Sequence, residues 1–223
     1  VIATILVVPG CQPEVSEPSL AHQAAAVRAG QTDEIVVEQR PISDSDLSAI
    51  VNLTGVKTFI LDHPDNRITD AGLAKMAGLS TLEHLRIRGG DIGDDGLRQL
   101  TSLKDLRIIN LPHTHATDAG LATLADLPKL EQLRIGSPKF TDAGIARLAN
   151  YPALLRVHLV DVPITEAGLK VFQKMPRLES LYIDRTAASD EALMRFFEAR
   201  PDLHVHFPEG HHDLDPHRHP HDP

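Results

Sequence analysis

The sequence predicts an α/β solenoid in which each unit contributes one short strand and one short helix, and three observations carry that prediction. The first is a 24-residue beat. The phrase ITDAGL at 68–73 returns as IGDDGL at 92–97, ATDAGL at 116–121, FTDAGI at 140–145 and ITEAGL at 164–169, with degenerate copies ISDSDL from Ile42 and ASDEAL from Ala188. A fixed period of this size marks units that pack mainly on their neighbours. The second is a phrase L-x-x-L-x-L that begins fourteen residues into each unit. It reads Leu82, Leu85, Ile87, then Leu106, Ile109, Leu111, then Leu130, Leu133, Ile135, then Leu154, Val157, Leu159, then Leu178, Leu181, Ile183; Val56, Phe59 and Leu61 fit the first unit. Its final L-x-L alternates, as a half-buried strand does. The third is a set of leucines at steps of three, such as Leu121, Leu124 and Leu127, which give a short helix one apolar stripe.

The elements follow in order. Ser19–Gly30 (SLAHQAAAVRAG) is alanine-rich and sets Leu20, Ala24 and Val27 on one helical face, and Glu34–Gln39 (EIVVEQ) reads as a first strand. Together, residues 19–41 make an N-terminal cap, because a terminal repeat lacks a neighbour on one side. In each unit the Thr-Asp pair, as at Thr69-Asp70, offers N-cap oxygens to the helix that follows. Pro128, Pro152, Pro176 and Pro201 then end the helices, since proline cannot continue them. Leu203, Val205 and Phe207, alternating with His204 and His206, read as the last strand.

The unit L-x-x-L-x-I-x-x-x-x-I-T-D-x-G-L-x-x-L resembles a leucine-rich repeat. It is similar to the short-helix variety of F-box-type and bacterial repeat proteins, over residues 42–207. The resemblance implies a right-handed solenoid with a parallel β-sheet on the concave face and short helices on the convex face. One departure stands out. The Asn or Cys usual just after the strand is mostly replaced, by Gly90, Thr114 and Pro138 among others, so the loops must be held together another way.

Composition narrows the function. A net charge of −9 argues against nonspecific nucleic-acid binding, which needs a basic face. No run of 18 apolar residues exists to span a membrane. The single cysteine, Cys11, follows VIATILVVPG, and residues 1–10 resemble the end of a bacterial lipoprotein signal peptide. The resemblance implies that Cys11 is acylated and becomes the mature N-terminus, that the sequence begins inside the signal, and that residues 11–18 form a polar tether. Gln12 after the cysteine points to the outer membrane if the sorting rule of enteric bacteria applies. The expected location is therefore the bacterial cell envelope, lipid-anchored at the periplasmic face of the outer membrane.

In a leucine-rich repeat the residues between the strand leucines point outward. Here they are Thr58, Ile60, Asp62; His84, Arg86, Arg88; Ile108, Asn110, Pro112; Gln132, Arg134, Gly136; Arg156, His158, Val160; Ser180, Tyr182, Asp184. Strands about 4.8 Å apart stack these into columns. An acidic chain thus carries a basic and aromatic strip, Arg86, Arg88, Arg134, Arg156, His158 and Tyr182, of the kind that marks recognition hot spots. The expected ligand is an acidic protein segment or an anionic glycan. His158, Tyr182 and Asp184 make an acid–base set conceivable, but no nucleophile motif accompanies them, so the expectation is a non-enzymatic binding protein that requires no cofactor.

The last segment, 208–223 (PEGHHDLDPHRHPHDP), has one large apolar residue, Leu214, and is expected to stay disordered. Its His211, His212, His217, His219 and His221 can offer imidazoles to Zn, Cu or Ni, at spacings that match no structural zinc site. A pH-responsive solubilising tail is the other reading of the same residues. Two alternatives to partner recognition follow: an envelope metal-binding protein acting through this tail, and a structural subunit docked in a larger complex.

Overall fold

The computed structural model describes residues 17–184 and 187–206. The signal-like segment with Cys11, most of the tether, Phe207 and the histidine tail lie outside the described residues.

Among the described residues, eight parallel strands form one sheet in strict sequential order: β1 (Glu34–Val37), β2 (Thr58–Leu61), β3 (His84–Ile87), β4 (Ile108–Leu111), β5 (Gln132–Ile135), β6 (Arg156–Leu159), β7 (Ser180–Ile183) and β8 (His204–His206). Helices α1 (Leu20–Arg28), α2 (Asp70–Met76), α3 (Asp94–Leu100), α4 (Asp118–Thr123), α5 (Asp142–Ile145), α6 (Glu166–Gln173) and α7 (Asp190–Ala199) accompany it, with short 3-10 turns extending α4 and α5. Sequential order in a parallel sheet with a return path through a helix is the right-handed solenoid that the period predicts. The inward strand residues, Phe59 and Leu61 through Leu181 and Ile183, join the helix leucines in one continuous buried core. Most of these helices are under three turns, too short to persist alone, so the core holds them. β1 is shorter than the predicted Glu34–Gln39, because Glu38 and Gln39 turn away and give their N–H groups to the Glu17 carboxylate.

The Thr-Asp pair does more than cap its own helix. Thr69, Thr117, Thr141 and Thr165 each accept from an N–H inside the following helix, as expected. The Asp instead serves the next unit. Asp44 accepts from Thr69 N and Oγ1 at 2.9 and 2.6 Å, and Asp118 does the same for Thr141 at 2.9 and 2.6 Å. Asp94 holds Thr117 N and Oγ1 and also Gly120 N, and Asp142 holds Thr165. Asp70 has only Gly93 N, because that unit lacks the hydroxyl. Burial alone would raise the pKa of Asp94, but the hydrogen bonds from Thr117 and Gly120 outweigh it and hold the carboxyl below its usual range.

This ladder explains the glycine of the repeat. A Cβ at Gly72, Gly96, Gly120, Gly144 or Gly168 would overlap Oδ1 of the preceding unit's Asp44, Asp70, Asp94, Asp118 or Asp142. Where the preceding residue is Glu166, which pairs with Lys170 and Arg195 instead, the glycine becomes Ala192. At the first unit the same place is Asp46, which bonds Ser43 N and Oγ within its own turn.

The loops are held one by one. Asn66 keeps the usual role: buried, it accepts from Ile42 N and donates to Leu61 O and Arg88 O. In its place Thr114 donates to Gly136 O, and the neighbouring Ser137 donates to Ala116 O. Gly90, at φ 110°, lies so close to Ile68 O that no side chain fits. At the N-terminal edge Gln23 pairs with both Val36 N and Val36 O, so the exposed strand edge is blunted by a side chain. At the other end the buried Arg200, just after α7, donates to Phe172 O, Met175 O and Leu178 O and so ties the end of α7 to the turn that follows α6.

Candidate functional site

The strand register carries one column across the whole face: Val36, Ile60, Arg86, Asn110, Arg134, His158, Tyr182, His206. The six residues expected to form the binding strip, Arg86, Arg88, Arg134, Arg156, His158 and Tyr182, all lie on this face, but they are not equivalent. Arg86 is spent in part on Asp62, one strand back, at 2.6 Å. Arg156 pairs with Glu179 across an exposed 3.3 Å contact, which is worth little in water. Among the described residues no carboxylate pairs with Arg88, which is exposed.

Arg134 is the centre. Its Nε donates to His158 Nδ1 at 3.1 Å and its Nη1 donates to Asn110 Oδ1 at 3.2 Å. Because Nδ1 of His158 accepts, the ring proton sits on Nε2, which meets Asp184 Oδ1 at 2.8 Å. Burial lowers the pKa of Arg134; Asp184 opposes that shift, and Arg86 and Arg88 add to it. The guanidinium still keeps its proton, so the face holds a fixed, partly desolvated cation. Burial, reinforced by Arg86, also lowers the pKa of His84 on the same strand as Arg86.

Tyr182 sits among histidines. Its ring centroid is 5.5 Å from His158, 5.8 Å from His204 and 5.3 Å from His206. In the sequence His204 and His206 read as the residues that alternate with Leu203, Val205 and Phe207 in the last strand, not as members of the strip. Stepping Ser180 and Tyr182 forward by one 24-residue repeat lands on them, so the period itself held the signal. The acid–base set His158, Tyr182 and Asp184 is brought together, yet both imidazole nitrogens are engaged, one of them by a cation that cannot accept a proton.

The outward column after the strands is corrected by the structure. Pro112, Gly136 and Val160 are buried rather than displayed, and so is Ser180. The strands end after four residues, and the chain then closes on itself: a Cβ at Gly136 would overlap both Pro112 O and Val160 O. Among the described residues, two depressions on the face adjoin Arg134. One, of about 200 Å³, is lined by Asp62, Arg86, Arg88, Pro112, His113 and Arg134. The other, of about 220 Å³ and mostly apolar, includes Ile108, Gln132, Arg156, His158 and Tyr182, and shares Arg134 with the first. A larger open hollow near Pro41, Asp46 and Arg67 lies off the strand face, among loops.

Among the described residues no cluster of three or more His, Cys, Asp or Glu is arranged to hold a metal, and no helix is long and apolar enough to cross a membrane. The candidate ligands His211, His212, His217, His219 and His221, and the candidate lipidation site Cys11, lie outside the described residues.

A leucine-rich-repeat family model matches residues 78–100, one strand–helix unit. No curated protein matches the chain. Among solved structures, an internalin from Listeria monocytogenes superposes with a TM-score of 0.65 at 20% identity, covering 86% of this chain and 51% of that one. The chain therefore spans about half the length of the internalin it resembles. At this identity the likeness speaks for the fold.

Proposed function

We propose that this leucine-rich-repeat solenoid is a non-enzymatic recognition protein of a bacterial cell envelope, anchored by lipid on Cys11 and engaging a protein partner with its concave face. Leucine-rich-repeat proteins generally serve as protein-binding scaffolds, and that general role is the starting point. The observation that carries the reading to this face is its charge. On a chain of net charge −9, three guanidiniums, Arg86, Arg88 and Arg134, line one depression that contains a single carboxylate, Asp62. Buried, oriented arginine and tyrosine side chains are the usual anchors of an interface. The expected partner presents an acidic segment; an anionic glycan is the other ligand of the same charge.

An affinity pull-down from native membranes tests this, with the lipidated protein beside an Arg86→Glu/Arg134→Glu/Arg156→Glu variant, each with and without chelator. A partner captured by the parent and lost by the variant is the expected result. Equal capture by both overturns the concave-face assignment. A partner lost only with chelator transfers the function to the five tail histidines and makes metal binding the activity. A partner that copurifies in stoichiometric amount marks a structural subunit.

A further inference from the structure

The two depressions on the strand face differ in chemistry and meet at one residue. In the polar one, Asp62 Oδ2 pairs with Arg86, while Oδ1 is buried with no hydrogen-bond partner. Asp62 is hydrogen-bonded to Arg86 and to neither Arg88 nor Arg134. Arg134 is oriented by two neutral acceptors, His158 Nδ1 and Asn110 Oδ1, which fix its planar fork without cancelling its charge. The depression is thus a preformed socket for an oxyanion, with positive potential already focused in a partly desolvated concavity. The second depression, across Arg134, is mostly apolar and floored by Ile108 and Tyr182.

Resting on the recognition reading above, we propose that these two depressions form one bipartite site for an extended acidic peptide. A carboxylate side chain enters between Arg88 and Arg134, and an apolar side chain of the same peptide lies against Ile108 and Tyr182. The first depression draws its residues from β2 to β5 and the turns after them, and the second from β4 to β7, so their centres lie about two strands apart. Two strand spacings are about 10 Å. An extended chain advances about 3.3 Å per residue, so the acidic and apolar positions stand about two to four residues apart. A free phosphate or a sulfated glycan would satisfy the arginines but leave the apolar depression unfilled, which is why a peptide is the better match.

The test is selection of a random decapeptide library, displayed on phage, against the full-length protein. Enriched sequences are synthesised with a fluorophore, and their affinity is measured by anisotropy for four proteins. These are the parent, Arg88→Ala/Arg134→Ala, Asn110→Trp (which fills the middle of the face) and Arg98→Ala on helix α3 as a control. Circular dichroism checks that each is folded. The expected result is enrichment of Asp or Glu two to four positions from a large apolar residue. Affinity should fall at least about tenfold in the double variant and in Asn110→Trp, and stay unchanged in Arg98→Ala. Neutral peptides that lose binding only to Asn110→Trp overturn the acidic assignment while leaving recognition by this face intact. Peptides that bind all four proteins alike, or no enrichment over Asn110→Trp, overturn both.

Discussion

Along the edge where the helices begin, five successive units make the same contact; across the strand face hardly two do. Asp44, Asp70, Asp94, Asp118 and Asp142 each reach to the next unit's N-cap, and each is matched by a glycine there. The central column of the strand face runs Val36, Ile60, Arg86, Asn110, Arg134, His158, Tyr182, His206 with almost no repetition. Both sets follow the same spacing, 24 residues per unit with one step of 26. The difference separates two demands on one sequence. Residues that stack identical units must themselves be identical, whereas residues that meet something outside the chain are released from the period. Substitutions along the helix edge should therefore move stability, and substitutions on the strand face should move binding.

The largest effect is expected at Gly144. Its Cβ would overlap the Asp118 carboxylate, and even Asp118 Cβ would stand only 3.0 Å away, so a rotamer change alone does not clear it. An ordinary helical Gly→Ala change stabilises by up to about 1 kcal/mol through helix propensity. Gly144→Ala should reverse that sign and cost about 2–3 kcal/mol, in the range of overpacked cores, measured by urea denaturation. A stabilised variant would show that the glycine is kept for some reason other than the carboxylate.

Next comes the partner of that glycine. Asp118→Ala removes the acceptor for Thr141 N and Oγ1 and should cost about 1–2 kcal/mol. With the carboxylate gone, the two closest overlaps of the second substitution disappear, and the Cβ at position 118 remains 3.0 Å away. Asp118→Ala/Gly144→Ala should thus be more stable than the sum of its parts predicts, by about 1 kcal/mol or more. The native chain has already made this trade at its end, where Glu166 is followed one unit later by Ala192. Strict additivity would break the proposed coupling.

A smaller gain should come from completing the ladder. Gly93 is the one N-cap of the five without a hydroxyl, its backbone is extended at φ −108°, and its Cβ would lie 3.2 Å from Asp70 Oδ2. Gly93→Thr supplies the missing cap and the missing bond to Asp70, and should raise stability by about 0.5–1 kcal/mol. A loss on denaturation would mean that this unit tolerates no side chain at its cap.

The same division decides how much was legible in the sequence. Strands and helices were readable because buried leucines repeat at fixed places, and the register that stacks Arg86, Asn110 and Arg134 followed from the period alone. The role of Asp70 and its equivalents was half legible. Thr-Asp before a helix reads as a local cap, and nothing in one unit reveals that the carboxylate faces its neighbour. The glycine two residues after each Asp carried that information, since a helix interior otherwise disfavours glycine. Pro112, Gly136 and Val160 read as outward-facing only if alternation runs past the end of a four-residue strand, where the chain in fact turns inward. The pairing of Arg86 with Asp62 and the orientation of Arg134 by His158 depend on side-chain rotamers, which periodicity does not encode.

The smallest effect belongs to the strand face itself, through His84. Burial, aided by the neighbouring Arg86, lowers its pKa in the folded chain below the ordinary value near 6.5. The unfolded chain therefore binds the proton more readily, and stability rises with pH across the interval between the two values. The contribution is complete above about pH 6.5 and is lost progressively as the pH falls through the lowered folded value. Melting temperature should consequently decline for the parent between about pH 7 and pH 5, and decline less for His84→Gln, which has no proton to gain. Arg86→Ala should lessen the decline too, because it removes the second of the two causes. Identical pH profiles for parent and His84→Gln would mean that His84 stays solvated in solution. His84 would then add no proton-linked cost to the fold that carries the strand face.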